Sequence, residues 1–254
     1  MSRRTVPPAP CIAYGEHPDQ VANLHLPARE GGPWPCVVLL HGGFWRTGWD
    51  RTLMTPLAFD LAARGIAAWN VEYRRVGQEG GGWPGTLEDV AAAVDRLTDV
   101  ADVDAARVVT CGHSAGGHLA LWLAARPRIR QGMPGADPRV TPVAAVAQAG
   151  VCDLDSARRD DLGGGAVEGL LGPPDGARDA AASPAALAPL GVPQLLVHGG
   201  ADDIVPVSQS RNHASLDPDA ELVELAGVDH FEVIEPASPA WAAVLDRLEV
   251  YLGG

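Results

Sequence analysis

Short apolar runs alternate along this chain with longer amphipathic segments, and that alternation restricts its fold more than any other property. Val21 to Leu26, Cys36 to Leu40, Ile66 to Val71, Arg107 to Cys111, Val143 to Ala149, Gln194 to His198 and Glu221 to Leu225 read as strands. Met54 to Arg64, Leu87 to Thr98, Ala115 to Ala125, Val207 to Ser215 and Ala240 to Leu252 read as helices. Several of the strands are apolar on both faces, which requires cover on both sides. The pattern predicts an α/β fold, a mostly parallel central sheet with helices on both faces, as a single domain over 1–254. One stretch, Asp153 to Pro189, is rich in Gly, Ala, Pro and Asp and breaks the alternation. It reads as a small insertion, either a cap over a site or a mobile surface excursion, with the glycines at 163 to 165 fitting both.

Composition removes several classes of function. A formal charge of −13 leaves no basic surface for nucleic acid or anionic lipid. All 19 basic residues are arginine, so the chain supplies neither a phosphate-loop lysine nor a Schiff base. The four cysteines, at 11, 36, 111 and 152, lack metal-site spacing, and two fall in strands, where they read as small core residues. Met1 to Pro10 carries prolines where a signal peptide needs an apolar run, and no 18-residue apolar stretch occurs, so the expected location is the cytoplasm.

The strand ending at Cys111 runs into Gly112-His113-Ser114-Ala115-Gly116 and then a helix. A serine on so tight a strand-to-helix turn needs side-chain-free neighbours two positions away, which Gly112 and Gly116 provide. Its hydroxyl is a weak nucleophile at neutral pH, so it needs a histidine base oriented by a carboxylate. Reacting groups gather at the carboxyl ends of such strands. After the run ending at His198, Asp202 is the expected acid, with Asp203 read as a helix-start residue. After the run ending at Leu225, His230 is the expected base, while His213 reads as a solvated helix residue. The order Ser114, Asp202, His230 is that of α/β-hydrolases. An imidazole base must be neutral to act, and an ordinary one titrates near ~6.5, so kcat/KM is expected to fall as pH drops through that region.

Attack on a carbonyl creates an oxyanion that needs preorganised N–H donors. Ala115 is one expected donor; Gly43 and Phe44, in His41-Gly42-Gly43-Phe44-Trp45, are expected to supply the other. His41 and His113 each border a strand end, where an imidazole commonly holds a loop by bonding its backbone. His113 also counts, with Gly42 and Trp45, among the candidate substrate contacts. Trp49, Tyr73, Trp83, Arg74 and Arg75 lie near enough to suit an aromatic substrate bearing a carboxylate, or else pack loops and brace an acidic surface.

With these residues in place the whole chain resembles an α/β-hydrolase, and its His41–Trp45 and Asp229-His230-Phe231-Glu232 motifs are similar to those of arylformamidases (kynurenine formamidases). The resemblance implies the Ser114–Asp202–His230 triad, an oxyanion loop at Gly42, Gly43 and Phe44, and Trp45 as a wall of the substrate site. It implies hydrolysis of N-formylkynurenine to formate and kynurenine, with no metal or organic cofactor. Small-ester hydrolases and acetyl esterases share the signature, usually with a third glycine where this chain has Phe44, a departure that favours the formamidase. A general carboxylesterase is the main alternative, followed by a peptidase and a binding protein on the same fold. The expected partner is a small acyl or formyl substrate, and homodimerisation stays open.

Overall fold

A computed structural model describes residues 9–253, so the leader reading of Met1 to Pro10 falls largely outside the described residues. Eight strands form one sheet in the order β1-β2-β4-β3-β5-β6-β7-β8. They are β1 (Cys11–Ala13), β2 (Val21–His25), β3 (Trp34–Leu40), β4 (Ala67–Val71), β5 (Val103–His113), β6 (Ala144–Gln148), β7 (Gln194–Gly199) and β8 (Ala220–Leu225). The β1–β2 and β2–β4 pairs are antiparallel, and every pairing from β4 to β8 is parallel. Strand β1, three residues long, carries too little pattern to be read from sequence.

The helices are α1 (Thr55–Ala63), α2 (Gly85–Asp95), α3 (Ala115–Ala125), α4 (Leu154–Arg159), α5 (Ala166–Leu171), α6 (Gly176–Ala182), α7 (Pro184–Leu187), α8 (Ser208–Leu216) and α9 (Pro239–Leu252). The stretch read as irregular therefore holds four short helices. Asp153 and Asp175 start two of them, each accepting backbone N–H bonds from the first turn of α4 or α6.

Alternation along β3 builds the two core layers. Cys36, Val38 and Leu40 pack with Val90 and Val94 of α2 and Leu119 and Trp122 of α3. Val37 and Leu39 face the other way, onto Leu57 and Leu61 of α1 and Trp241, Val244 and Leu248 of α9. Each such side chain contributes roughly 1.5–3 kcal/mol on burial, so these two layers hold the sheet rigid beneath the loops at its carboxyl edge. Cys36, Cys111 and Cys152 are buried, and burial pushes their thiols up to about 12.

At the far edge, β8 is clasped from both faces. Arg247 of α9 places its Nε and Nη2 on the two oxygens of Glu221, and Arg211 of α8 does the same to Glu224. His213 corrects an expectation: it is fully buried, and its Nε2 lies 2.7 Å from Gln194 Oε1. Helical spacing turns Gln209, Ser210 and His213 together inward, while their polar sequence neighbours stay outside. Among the described residues no helix is long and apolar enough to cross a membrane.

Candidate active site

Strand β5 ends at His113, and α3 begins at Ala115, so Ser114 alone makes the turn, at φ 56° and ψ −119°. A non-glycine residue there is strained and must be held by its surroundings. The Ser114 N–H donates to Gln148 O at 2.8 Å, and its carbonyl accepts from the N–H groups of Gly117 at 2.9 Å and Val151 at 3.2 Å. The turn also demands its glycines. A Cβ on Gly112 would stand 2.0 Å from Gly116 O, and one on Gly116 would stand 2.1 Å from Leu40 O.

The loop after β3 crosses directly over this serine, since a Cβ on Gly42 would lie 2.9 Å from Ser114 Cβ. Gly43, Phe44 and Trp45 all take positive φ, at 108°, 50° and 57°. Two residues with side chains held in that region mark a loop bent by its supports. Among the described residues the N–H groups of Gly43, Phe44 and Ala115 donate to no backbone carbonyl, which leaves them unspent beside the hydroxyl.

His41 braces this loop as its strand-end position predicts, while the loop's other supports were not read from sequence. His41 Nε2 lies 3.0 Å from Glu72 Oε1, its Nδ1 lies 2.7 Å from Gly42 O, and its ring stacks on Tyr73 at 4.4 Å. The expectation that Trp45 walls the substrate site is corrected. Trp45 is wholly buried, its indole N–H donating to His118 Nδ1 at 3.2 Å, while His118 Nε2–H donates to Ala182 O at 2.8 Å. Arg46 reaches outward, its guanidinium donating to the carbonyls of Gly163 at 2.8 Å and Gly164 at 2.7 Å. Phe44 lies against Gly163, where a Cβ would meet its ring at 2.7 Å. The glycine turn of the insertion is thereby pinned to the loop over Ser114.

On the other side, His230 Nδ1–H donates to Asp202 Oδ2 at 2.7 Å, and the carboxylate is fully enclosed. That bond leaves the lone pair on Nε2, the form a base requires. Asp202 Oδ1 accepts from the N–H groups of Ile204 at 2.9 Å and Val205 at 2.8 Å, and His198 Nε2 stands 3.3 Å from Oδ2. Burial alone would raise this carboxyl, but the bonds from His198, His230 and the Val205 N–H outweigh it and hold the group well below the usual carboxylate range. Asp203 is exposed.

His113 ties the two halves together. Its Nε2–H donates to His230 O at 2.8 Å, its ring lies 4.6 Å from that of His230, and its buried Nδ1 has no partner among the described residues. Burial, and next the proximity of His230, push its pKa down to about 3, so it stays neutral next to the base. Both His113 and Gly42, expected as candidate substrate contacts, are enclosed rather than open to solvent, while Gly43 and Phe44 are half-buried. Arg74 is committed to Asp89 through Nε at 2.8 Å and Nη2 at 2.6 Å. Arg75 is committed to Asp19 and Glu72 at 3.1 and 3.4 Å, so neither arginine awaits a substrate carboxylate. The structure joins Asp202 to His230 directly and sets Ser114 against His113, the His230 loop's support. Among the described residues no direct hydrogen bond closes from Ser114 Oγ to His230, a link that commonly tightens only when substrate binds.

The BD-FAE family model matches residues 22–216. The chain belongs to the BD-FAE family. An uncharacterized Mycobacterium tuberculosis protein is 29% identical over 215 residues, spanning 83% of this BD-FAE chain and 68% of that protein. An Arabidopsis thaliana isoprenylcysteine alpha-carbonyl methylesterase is 32% identical over 116 residues, 43% of this chain and 26% of that enzyme. Among solved structures, a propionate-bound esterase from Thermogutta terrifontis superposes with a TM-score of 0.77 at 24% identity, covering 97% of this chain and 95% of that one. The fold of this BD-FAE member is that of the α/β-hydrolases. The relatives that carry an activity in their names are esterases, so the superfamily part of the resemblance stands and its formamidase part has no match among them.

Proposed function

We propose that this chain is a serine carboxylesterase acting on small esters, with Ser114 as nucleophile, His230 as base and Asp202 as the acid that orients it. One observation carries the reading: the strained Ser114 turn, placed under a loop of unspent N–H groups and beside a buried Asp202–His230 pair. His230 Nε2 takes the Ser114 proton as Oγ bonds to the ester carbon, and the carbonyl pair moves onto oxygen. Ala115 N–H, with Gly43 or Phe44 N–H, receives that oxyanion, each donor being worth roughly 3 kcal/mol in the transition state. Collapse expels the alkoxide, which takes the proton from His230, and leaves an acyl-serine. Water then repeats the sequence, its proton passing through His230 to Ser114 Oγ as the carboxylic acid departs. Asp202 stays ionised throughout, because its hydrogen bonds favour the charged form.

The ester assignment, rather than a formamide, is supported by the methylesterase among the sequence relatives and by the propionate carried by the Thermogutta protein. The two arginines suited to a zwitterionic substrate are also already paired. Side-by-side turnover of p-nitrophenyl acetate and N-formylkynurenine tests it. The ester is expected to be the better substrate by at least tenfold in kcat/KM, and the reverse order returns the chain to the formamidases. A fluorophosphonate probe should label Ser114, and Ser114→Ala should lower kcat by on the order of 10⁴-fold or more. Near-normal turnover in that variant moves the nucleophile elsewhere.

A further inference from the structure

Two of the few large apolar side chains exposed to solvent meet over the site: Trp49 is 46% exposed, Phe231 is 38% exposed, and their rings lie 5.5 Å apart. Each comes from a different half of the machinery. Trp49 follows the loop over Ser114 and packs on it, since a Cβ on Gly43 would stand 2.7 Å from its Cδ1. Phe231 follows His230 directly, its ring edge-on to that imidazole at 5.3 Å and 5.7 Å from the ring of His113. Both backbones are fixed. Arg75 donates to Trp49 O at 2.5 Å, and Asp229 accepts from the N–H groups of Phe231 and Glu232, each at 2.8 Å. Rings held open to water by rigid loops, next to a reactive serine, mark a contact surface.

Chemistry decides which part of a substrate this surface meets. The histidine that takes the serine proton must return it to the departing oxygen, so the leaving group lies on the His230 side. That is the side Phe231 occupies. Most of the polar groups beside Trp49 are already used, Thr47 and Asp50 Oδ2 excepted: Asp50 Oδ1 accepts from Thr52 N and Oγ1 at 2.8 and 2.5 Å, and Arg75 holds Trp49 O and Asp19. A polyol would find few free partners there, while a flat apolar group needs none. Resting on the esterase reading above, we propose that Trp49 and Phe231 form the leaving-group subsite and select esters of aromatic alcohols.

The test compares kcat/KM for benzyl acetate, ethyl acetate, ethyl phenylacetate and an acetylated methyl glycoside in the full-length protein. Trp49→Ala and Phe231→Ala should each lower the benzyl acetate to ethyl acetate ratio about fivefold to tenfold, chiefly through KM. Trp49→Leu and Phe231→Leu keep apolar bulk without a ring, and should lower the ratio likewise should an alanine variant fail to fold. Trp49→Phe and Phe231→Tyr should hold it within about twofold. Phe59→Ala, which removes an exposed ring from α1, should leave it unchanged. A parallel fall on every ester overturns the subsite and makes the pair a prop for the two loops. A selective fall on ethyl phenylacetate moves the rings to the acyl side, and one on the glycoside makes them a sugar platform; either overturns the proposal. Labelled Ser114 with an unmoved ratio defeats the subsite alone. Wild-type protein inert to all four esters and to the fluorophosphonate probe defeats the esterase reading along with it.

Discussion

Ser114, Gly112 and Gly116 show how much a few positions can reveal when the constraint on them is local. Their spacing was readable because a side chain at either glycine would strike backbone, at Gly116 O or at Leu40 O. Gly112→Ala and Gly116→Ala should therefore each cost about 3 kcal/mol in urea unfolding, since backbone cannot yield as a flexible side chain does. Gly176→Ala, at the first position of α6 with nothing near its Cβ, should be neutral or stabilising by about 0.5 kcal/mol. Asp202→Asn leaves the fold in place but offers His230 an amide where it needs an acceptor, so kcat should fall by on the order of 10³–10⁴. Retention of more than a tenth of the activity would remove Asp202 from the mechanism. Trp45 and His213 were less legible. Whether a tryptophan beside glycines faces a pocket or a neighbouring helix depends on partners far along the chain, here His118 for Trp45 and Gln194 for His213.

The seven longer strands and five longer helices follow from apolar runs alternating with amphipathic segments, and the runs are plainest where a strand is buried on both faces, as in β4, β6 and β7. The insertion was harder because α4, α5, α6 and α7 are four to seven residues long, too short for a period to accumulate, although Asp153 and Asp175 stand as readable starts. An arginine outside the insertion ties its glycine turn to the loop over Ser114. With Gly163, Gly164 and Gly165 all in the left-handed region, the turn presents two carbonyls to Arg46. Arg46→Ala should cost stability less than ~1 kcal/mol, because the pairing is exposed. Amide exchange across 163–165 should nonetheless quicken several-fold. Exchange unchanged there would show that Phe44 packing alone seats the turn.

Taken as one body, the molecule encloses imidazoles that it keeps uncharged, and this sets its response to acid. Burial lowers His113 to about 3 and His118 to about 4, and lowers His213 as well. Unfolded histidines take up protons near pH ~6.5, so below that value the unfolded chain binds protons the folded chain refuses. Stability should fall from pH 6.5 toward pH 4, by about 1.4 kcal/mol per pH unit for each histidine fully in this window. Asp202 acts in the same sense but in a lower window, its contribution present at neutral pH and lost only as pH falls below the ordinary carboxylate value of 3.8. Urea midpoints at pH 7, 6 and 5 isolate the histidines, and a flat series would show that they are hydrated in the folded state. None of this could be taken from the −13 charge, which counts groups without saying which are enclosed. The last strand carries one more whole-body consequence. An open sheet margin ordinarily invites a foreign strand to zip alongside it, but a newcomer to β8 meets an acid–arginine fork on each flank, Glu221 with Arg247 and Glu224 with Arg211. These forks thus serve as guards against fibril-like stacking, and neutralising either acid would lift one guard from the margin while the core packing of α8 and α9 stays in place.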